Sequence, residues 1–320
     1  MARKTILLTG AAGFIGSHTA EHLLQRGDRV VGLDNFNNYY SPELKRSNAT
    51  ILSHYPGFEL VEGDVRDERL VRSLHARFRF DAVIHLAAMA GVRASVEAPH
   101  QYFDVNVNGT INLLEAARKS GRPSFVFAST SSAYGRTQRV PFVEVDPADT
   151  PLAPYPASKR AVELLGHSYH HMHGMDFTAL RFFTVYGPRN RPDMLAHLAL
   201  DACFERARLV LHEDGNMWRD WTFVTDIVDG IVRAADRRLG YEVINLGRGE
   251  PVLLREFVEA VSQRCNAPIK WQNRAMPAAD VSRTWANIDK ARRLLGYQPK
   301  MSITEGVAQL VSWYRDHYKL

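Results

Sequence analysis

Tyr155 and Lys159 stand four residues apart in Tyr155-Pro156-Ala157-Ser158-Lys159. On a helix this spacing puts a phenol and an ammonium on one face, about one turn apart. Pro156 suits the first helical position, so the helix is expected to start at the tyrosine. A nearby cation favours the phenolate and should pull its pKa down from about 10. A tyrosine so tuned can remove a proton from a hydroxyl while hydride leaves the same carbon, help worth about 10²–10⁴ in rate. Taken alone, the pair also fits an ordinary amphipathic helix.

A second constellation decides between the two. Gly10-Ala11-Ala12-Gly13-Phe14-Ile15-Gly16 follows the apolar run Lys4 to Thr9 and leads into a helical stretch, Ser17 to Gln25. Phosphate approaches backbone closely only where no Cβ intrudes, and a helix N-terminus offers it unpaired N–H groups. Asp34 closes the next strand, Arg29 to Asp34, where its carboxylate can accept hydrogen bonds from an adenosine ribose. It would repel a 2′-phosphate, and no Lys or Arg follows until Lys45, which favours NAD over NADP. A hydroxyl in Phe127-Ala128-Ser129-Thr130-Ser131-Ser132-Ala133-Tyr134-Gly135, just past a strand end, would sit over the nicotinamide.

These groups need strands that end together. Further buried strands are predicted at Phe58–Val61, Ala82–Leu86, Ser124–Ala128, Phe177–Phe182 and Tyr241–Leu246, with helices at Arg69–Phe78 and Val105–Lys119 among them. Their alternation predicts an α/β fold, a doubly wound parallel Rossmann sheet with a smaller C-terminal substrate-binding lobe. The dinucleotide-binding domain is expected over residues 1–186, with later returns at about 220–248. The lobe is expected over 187–219 and 249–320, where Pro- and Arg-rich stretches lie.

The glycine spacing, together with Asp34 and the Tyr155/Lys159 pair, resembles the extended short-chain dehydrogenase/reductase superfamily. The resemblance implies an adenine contact at Asp64-Val65, a pyrophosphate-hugging loop at Leu86-Ala87-Ala88, and an Asn106 that stabilises the site. It also implies cofactor contacts from Phe14, Ile15 and Asn35, and Thr130 as the hydroxyl that bonds the reacting oxygen. In sugar-nucleotide members, 4,6-dehydratases carry Asp-Glu directly after the catalytic threonine, where this chain has Ser131 and Ser132. Decarboxylases usually carry Glu at the second of these positions, and 3,5-epimerases use a cysteine in this segment. Oxidation at one carbon with return of the hydride to either face remains, which is 4-epimerisation.

Arg181 to Pro188, Arg191-Pro192-Asp193-Met194, Phe36 to Tyr40, Leu44 to Arg46 and Ala90 to Arg93 resemble the UDP-glucuronate 4-epimerase subgroup. In Trp218 to Asp226, Arg219 matches the arginine that grips the nucleotide diphosphate, a bidentate task suited to a guanidinium. Asp280 falls on a motif near the ribose, and Arg191 in another substrate-contacting stretch. Thr130, Ser131, Thr184 and Arg93 are the candidates for holding the glucuronate carboxylate out of line with the carbonyl π system, so that the 4-keto acid keeps its CO₂. Arg189-Asn190, Leu211-His212 and Ala278-Ala279 depart from the subgroup's pattern at positions expected near the nucleotide. The alternatives are a UDP-glucuronate decarboxylase, a 4,6-dehydratase, a UDP-hexose 4-epimerase or a non-catalytic dinucleotide sensor.

Composition sets outer limits. The 320 residues are 45% hydrophobic and 23% charged, as in a globular protein. The formal charge of +5 comes without any basic run, so diphosphate rather than nucleic acid is the expected anionic partner. No apolar run approaches the roughly 20 residues that span a bilayer, and a cytoplasmic location is expected. Cys203 and Cys265 match no metal-ligand spacing. His167, His170, His171 and His173 crowd one helix without a third ligand, and no metal site is predicted. The resemblance implies a homodimer in which the helices beginning near Gln101 and Tyr155 pair across a two-fold axis.

Overall fold

The computed structural model describes residues 3–137 and 139–320. Six strands arise in the first 182 residues: β1 Thr5–Thr9, β2 Arg29–Asp34, β3 Phe58–Glu62, β4 Ala82–His85, β5 Ser124–Thr130 and β6 Phe177–Phe182. A seventh, Tyr241–Leu246, arrives late and completes a parallel sheet in the order β3-β2-β1-β4-β5-β6-seventh. The order reverses at β1 and β4, which opens a crevice at the C-terminal ends of the strands.

Both faces of the sheet are covered, so its inner strands read as apolar runs. Side chains alternate between two cores, as period-2 geometry requires. Ile6, Leu8, Ile84, Val126 and Leu180 point to one side, with Leu23, Ile227 and Ile231. Leu7, Val31, Val83, Phe125 and Phe177 point to the other, with Leu113, Leu114 and Val162.

After β6 the chain leaves the sheet. Trp218–Phe223 pairs with Thr184–Tyr186, Pro251–Leu253 and Arg283–Thr284 in a four-stranded sheet, and Leu209–His212 pairs with Trp271–Arg274. Between these pieces, helix Val224–Ala235 packs on helix Phe14–Gln25 and leads to the seventh strand. Helices Leu254–Cys265 and Ile303–Tyr318 pack on the second sheet, with Trp221 stacked on Phe257 at 3.7 Å, and helix Leu195–Cys203 packs on Leu254–Cys265 and on strand Leu209–His212. The core is continuous from the central sheet into this lobe. No helix among the described residues is long and apolar enough to cross a membrane.

Two helices differ from expectation. The tyrosine helix runs Pro154–His173, so Pro154 rather than Pro156 takes the first position. Pro156 still falls within the first turn, where its missing N–H has no partner to lose. The predicted helix over Val105–Lys119 divides into a π-helical turn, Asp104–Asn108, and an α-helix, Gly109–Lys119. Such a turn inserts one residue and re-aims the side chains around it.

Candidate active site

Two cavities open at the C-terminal ends of the strands. The first encloses about 1100 Å³ of atom-free space, open solvent included. Gly10, Gly13, Phe14, Ile15, Gly16, Asp34, Asn35, Val65, Leu86, Ala87 and Ala88 line it, with Tyr155 and Lys159 at its inner end. Gly10 has φ +70°, and a Cβ there would sit 2.8 Å from the Ala87 nitrogen. A Cβ on Gly16 would overlap the Gly10 carbonyl oxygen. The turn therefore exists only as glycine, and its backbone is bared to the cavity. Asp34 accepts the Ala12 N–H at 3.0 Å and the Phe36 N–H at 2.9 Å. Burial pushes its pKa up, against those two hydrogen bonds and the charge of Lys45. A bared glycine turn and a buried carboxylate at the end of β2 fit a dinucleotide with a free ribose.

Sequence reasoning missed part of this wall. Asn37, Tyr39, Tyr40, Lys45 and Phe182 also line the first cavity. Lys45, the next cation after Asp34 and part of a stretch that resembles the subgroup but from which no contact is expected, folds back to donate to the Asn37 carbonyl at 2.7 Å and to Asn37 Oδ1 at 2.8 Å. Its ammonium also lies 4.4 Å from the centre of the Tyr40 ring.

Asp64 and Asn106 are not on the lining. Asp64 stands behind it, taking Asn35 Nδ2–H at 2.8 Å and Arg66 Nε–H at 3.0 Å, and Arg66 holds its pKa down to about 2. Asn106 sits in the π-helical turn. Its amide brackets the Met89 backbone, accepting the N–H at 2.8 Å and donating to the carbonyl at 3.0 Å, and reaches Ser158 Oγ at 2.9 Å. It thereby joins the Leu86–Ala90 loop to the tyrosine helix.

His85 was also missed. Thr110 donates to the Asn106 carbonyl, so it accepts from His85 Nε2–H at 2.9 Å. Nδ1 is then bare and accepts the Thr9 hydroxyl at 2.7 Å, while Thr9 accepts the Ala87 N–H. Burial and then Lys159 push the imidazole down to about 3, so this chain of bonds is neutral.

The second cavity is lined by Ser131, Ser132, Thr184, Arg219, Asp280 and Thr284, among others. Ser129 and Tyr155 line the first cavity and their neighbours Ser131 and Pro156 the second; Thr130, between the two serines, lines neither, and its hydroxyl bonds Tyr155. Asp280 bridges two arginines, accepting Arg219 Nη2–H at 3.0 Å and Arg93 Nη2–H at 3.3 Å. Arg93 is thus at the rim rather than in the wall.

Arg191, grouped by sequence with the substrate contacts, lines the first cavity instead. It pairs with Asp193 at 2.9 and 2.7 Å beside Tyr39. Arg189 bonds Glu21 at 2.7 Å, so this departure from the subgroup's pattern leans on helix Phe14–Gln25 and not on the second cavity. Ala279 does line the second cavity.

The electrostatics of the tyrosine differ from the sequence expectation. Burial raises the Tyr155 pKa, and the charge of Arg191 and the Thr130 hydroxyl oppose it. Lys159 does not drive the shift, because burial pushes its own amine down to about 7. Its Nζ lies 4.6 Å from the centre of the Phe127 ring. Between pH 7 and about 10 the unfolded chain binds a proton here that the folded chain does not. This residue's contribution to stability therefore rises with pH across that window. Lys159→Met is expected to melt roughly 3–6 °C above the cofactor-free parent at pH 7, with the gap closing towards pH 10. Thermal unfolding at the two pH values checks this; equal gaps would mean a solvated amine.

The comparisons with known proteins agree with this geometry. The GDP-mannose 4,6 dehydratase family model matches residues 7–310. The chain belongs to that family, within the extended short-chain dehydrogenase/reductases. UDP-glucuronate 4-epimerase of Thermodesulfobacterium geofontis is 40% identical, covering 98% of this chain and 97% of its own length. UDP-glucuronate 4-epimerase 4 of Arabidopsis thaliana is also 40% identical, over 98% of this chain and 76% of its own. A crystal structure of UDP-glucuronic acid 4-epimerase from Bacillus cereus, in complex with UDP-glucuronic acid and NAD, superposes with a TM-score of 0.90. It is 33% identical and covers 98% of this chain and 100% of that one.

Proposed function

We propose that this family member is an NAD-dependent 4-epimerase of UDP-glucuronate, forming UDP-galacturonate through a 4-keto sugar. One observation carries the choice of reaction. Among the residues lining the second cavity, Asp280 is the only carboxyl, and two arginines hold it. The positions after Thr130 that would carry acid and base in a dehydratase are serines, which do not exchange protons at neutral pH. The relatives named as UDP-glucuronate 4-epimerases support the substrate.

The glycine turn, Asp34, Asn35, Val65 and the Leu86–Ala88 loop would hold NAD, with Asp64 and Asn106 supporting that wall from behind. When bound, NAD supplies acceptance and return of the hydride. Tyr155 takes the sugar O4 proton and gives it back, and Thr130 donates a hydrogen bond to the same oxygen. Arg191 supplies positive charge beside the phenol, and Lys159 lines the same cavity one helical turn beyond it. Arg219 grips the diphosphate, with Arg93 and Asp280 beside it, while the sugar is free to swing. Ser131 and Thr184 hold the carboxylate out of line with the C4 carbonyl, which suppresses loss of CO₂, while the single Thr130 O–H is kept for O4.

Incubation with UDP-glucuronate and no added cofactor tests the reading. A product of unchanged mass that co-elutes with UDP-galacturonate is expected. Loss of CO₂ would make the protein a decarboxylase, and loss of water a dehydratase.

We also read the protein as a cytoplasmic homodimer. Phe103, Leu164 and Met172 are 42%, 55% and 69% exposed on the helices Pro99–Phe103 and Pro154–His173, where such a pairing would cover them. Light scattering is expected to give twice the chain mass, and Leu164→Arg to shift it to one. A monomeric parent at micromolar concentration would refute the pairing.

A further inference from the structure

None of these steps uses the carboxyl of Glu163, which is fully buried. It lies one turn beyond Lys159, so Tyr155, Lys159 and Glu163 recur every four residues on one helix. Oε1 accepts Ser129 Oγ–H at 2.5 Å and Arg181 Nε–H at 2.9 Å. Oε2 accepts Arg181 Nη2–H at 2.7 Å and Arg160 Nη1–H at 3.1 Å. Both arginines can only donate, so both carboxyl oxygens serve as acceptors. Arg181 stands beside Ser129 in the β5/β6 register, its guanidinium 4.5 Å from the centre of the Tyr134 ring.

One carboxylate thus ties together the helix that carries Tyr155 and Lys159, the end of β5 that carries Thr130, and β6. Ser129 adjoins Thr130 and lines the first cavity itself. A fully buried ion pair is a poor source of stability, because desolvation offsets the attraction and well-packed apolar residues often serve as well. Two-point hydrogen bonding supplies fixed direction, which apolar contact does not.

We propose that Glu163 is a positioning residue for the proton transfer, holding the Tyr155–Lys159 turn in register with Thr130 through Ser129 and Arg181. The inference rests on the epimerase reading above, in which Tyr155 moves the proton. A misplacement of about 1 Å costs on the order of a hundredfold in rate.

Three variants test it, each NAD-loaded and compared with the parent. Ser129→Ala removes only the link from Glu163 to β5. It is expected to lower kcat about tenfold, with KM and Tm unchanged. Glu163→Gln strands the Arg181 charge and is expected to misfold, so the doubly substituted Glu163→Leu/Arg181→Met decides. That chain is expected to melt near the parent and retain NAD, yet turn over about a hundredfold more slowly, with KM for the UDP-sugar within about twofold. Its Tyr155 phenolate titration, isolated as a difference spectrum against Tyr155→Phe, is expected to rise by about one pH unit as the Thr130 contact loosens. A double variant with the parent's kcat and titration would make the ion pair merely structural and overturn the proposal. A parent inert on every UDP-sugar would instead sink the proposed reaction, and the titration, which needs no turnover, would still decide the role of Glu163.

Discussion

Tyr155→Phe is expected to cut turnover by about 10²–10⁴-fold while NAD stays on the purified protein. The substitution removes one oxygen and keeps the ring, which packs edge-on against Tyr102 at 6.2 Å. The glycine turn and Asp34 are untouched, so the cofactor wall survives. KM is expected to stay within about threefold, because the lost interaction belongs to the transition state. The pH profile gives a second signature. Burial holds the phenol above its ordinary range, so the parent's kcat should climb with pH as phenolate forms. The variant's residual rate should lack that limb. Parental activity in Tyr155→Phe would show that another group moves the proton.

The second large effect is expected on binding. Arg219→Met keeps the length of the side chain and removes a guanidinium that is largely buried at the second cavity. Asp280 would then face an incoming diphosphate with only the exposed Arg93 to offset its charge. Losing a buried, hydrogen-bonded charge contact costs about 3–4 kcal/mol, so KM for UDP-glucuronate should rise about 10²–10³-fold. At saturating substrate kcat should change little, and NAD should remain, since Arg219 lies on the other cavity. Unchanged KM would mean that the diphosphate binds elsewhere.

Much of this was legible in the sequence because its cause is local. The inner sheet strands are runs with both faces buried, and their apolar composition marks them. The edge strand β3, half-exposed and carrying Glu59 and Glu62, shows instead through its β-prone residues and its place in the strand–helix alternation. The glycine turn announces itself because only glycine can occupy it. What escaped depends on partners far along the chain. The π-helical turn at Asp104–Asn108 has the composition of any helix, and only the packing of Asn106 on Met89 and Ser158 marks it out. The lobe's strands Thr184–Tyr186, Pro251–Leu253 and Arg283–Thr284 are too short to carry a period. Arg191 moved to the first cavity because it is anchored by Asp193 and Tyr39, a grouping that spacing does not reveal. The tyrosine pKa goes up rather than down because burial of the phenol is the dominant effect, and the cation that opposes it is Arg191 rather than Lys159, whose own amine burial discharges.

The late arrival of the seventh strand has a consequence for how the protein is made. β6 is finished at Phe182, but the neighbour that covers its outer edge ends only at Leu246, roughly 60 residues later. At about 5–20 residues per second, a nascent chain carries a bare strand edge for roughly 3–12 s while the first part of the lobe emerges. Such an edge is a template for pairing with other chains. Translation that stalls between residues 182 and 241 would therefore yield an aggregation-prone fragment, and the two lobes cannot be expressed as separate pieces cut at Tyr186.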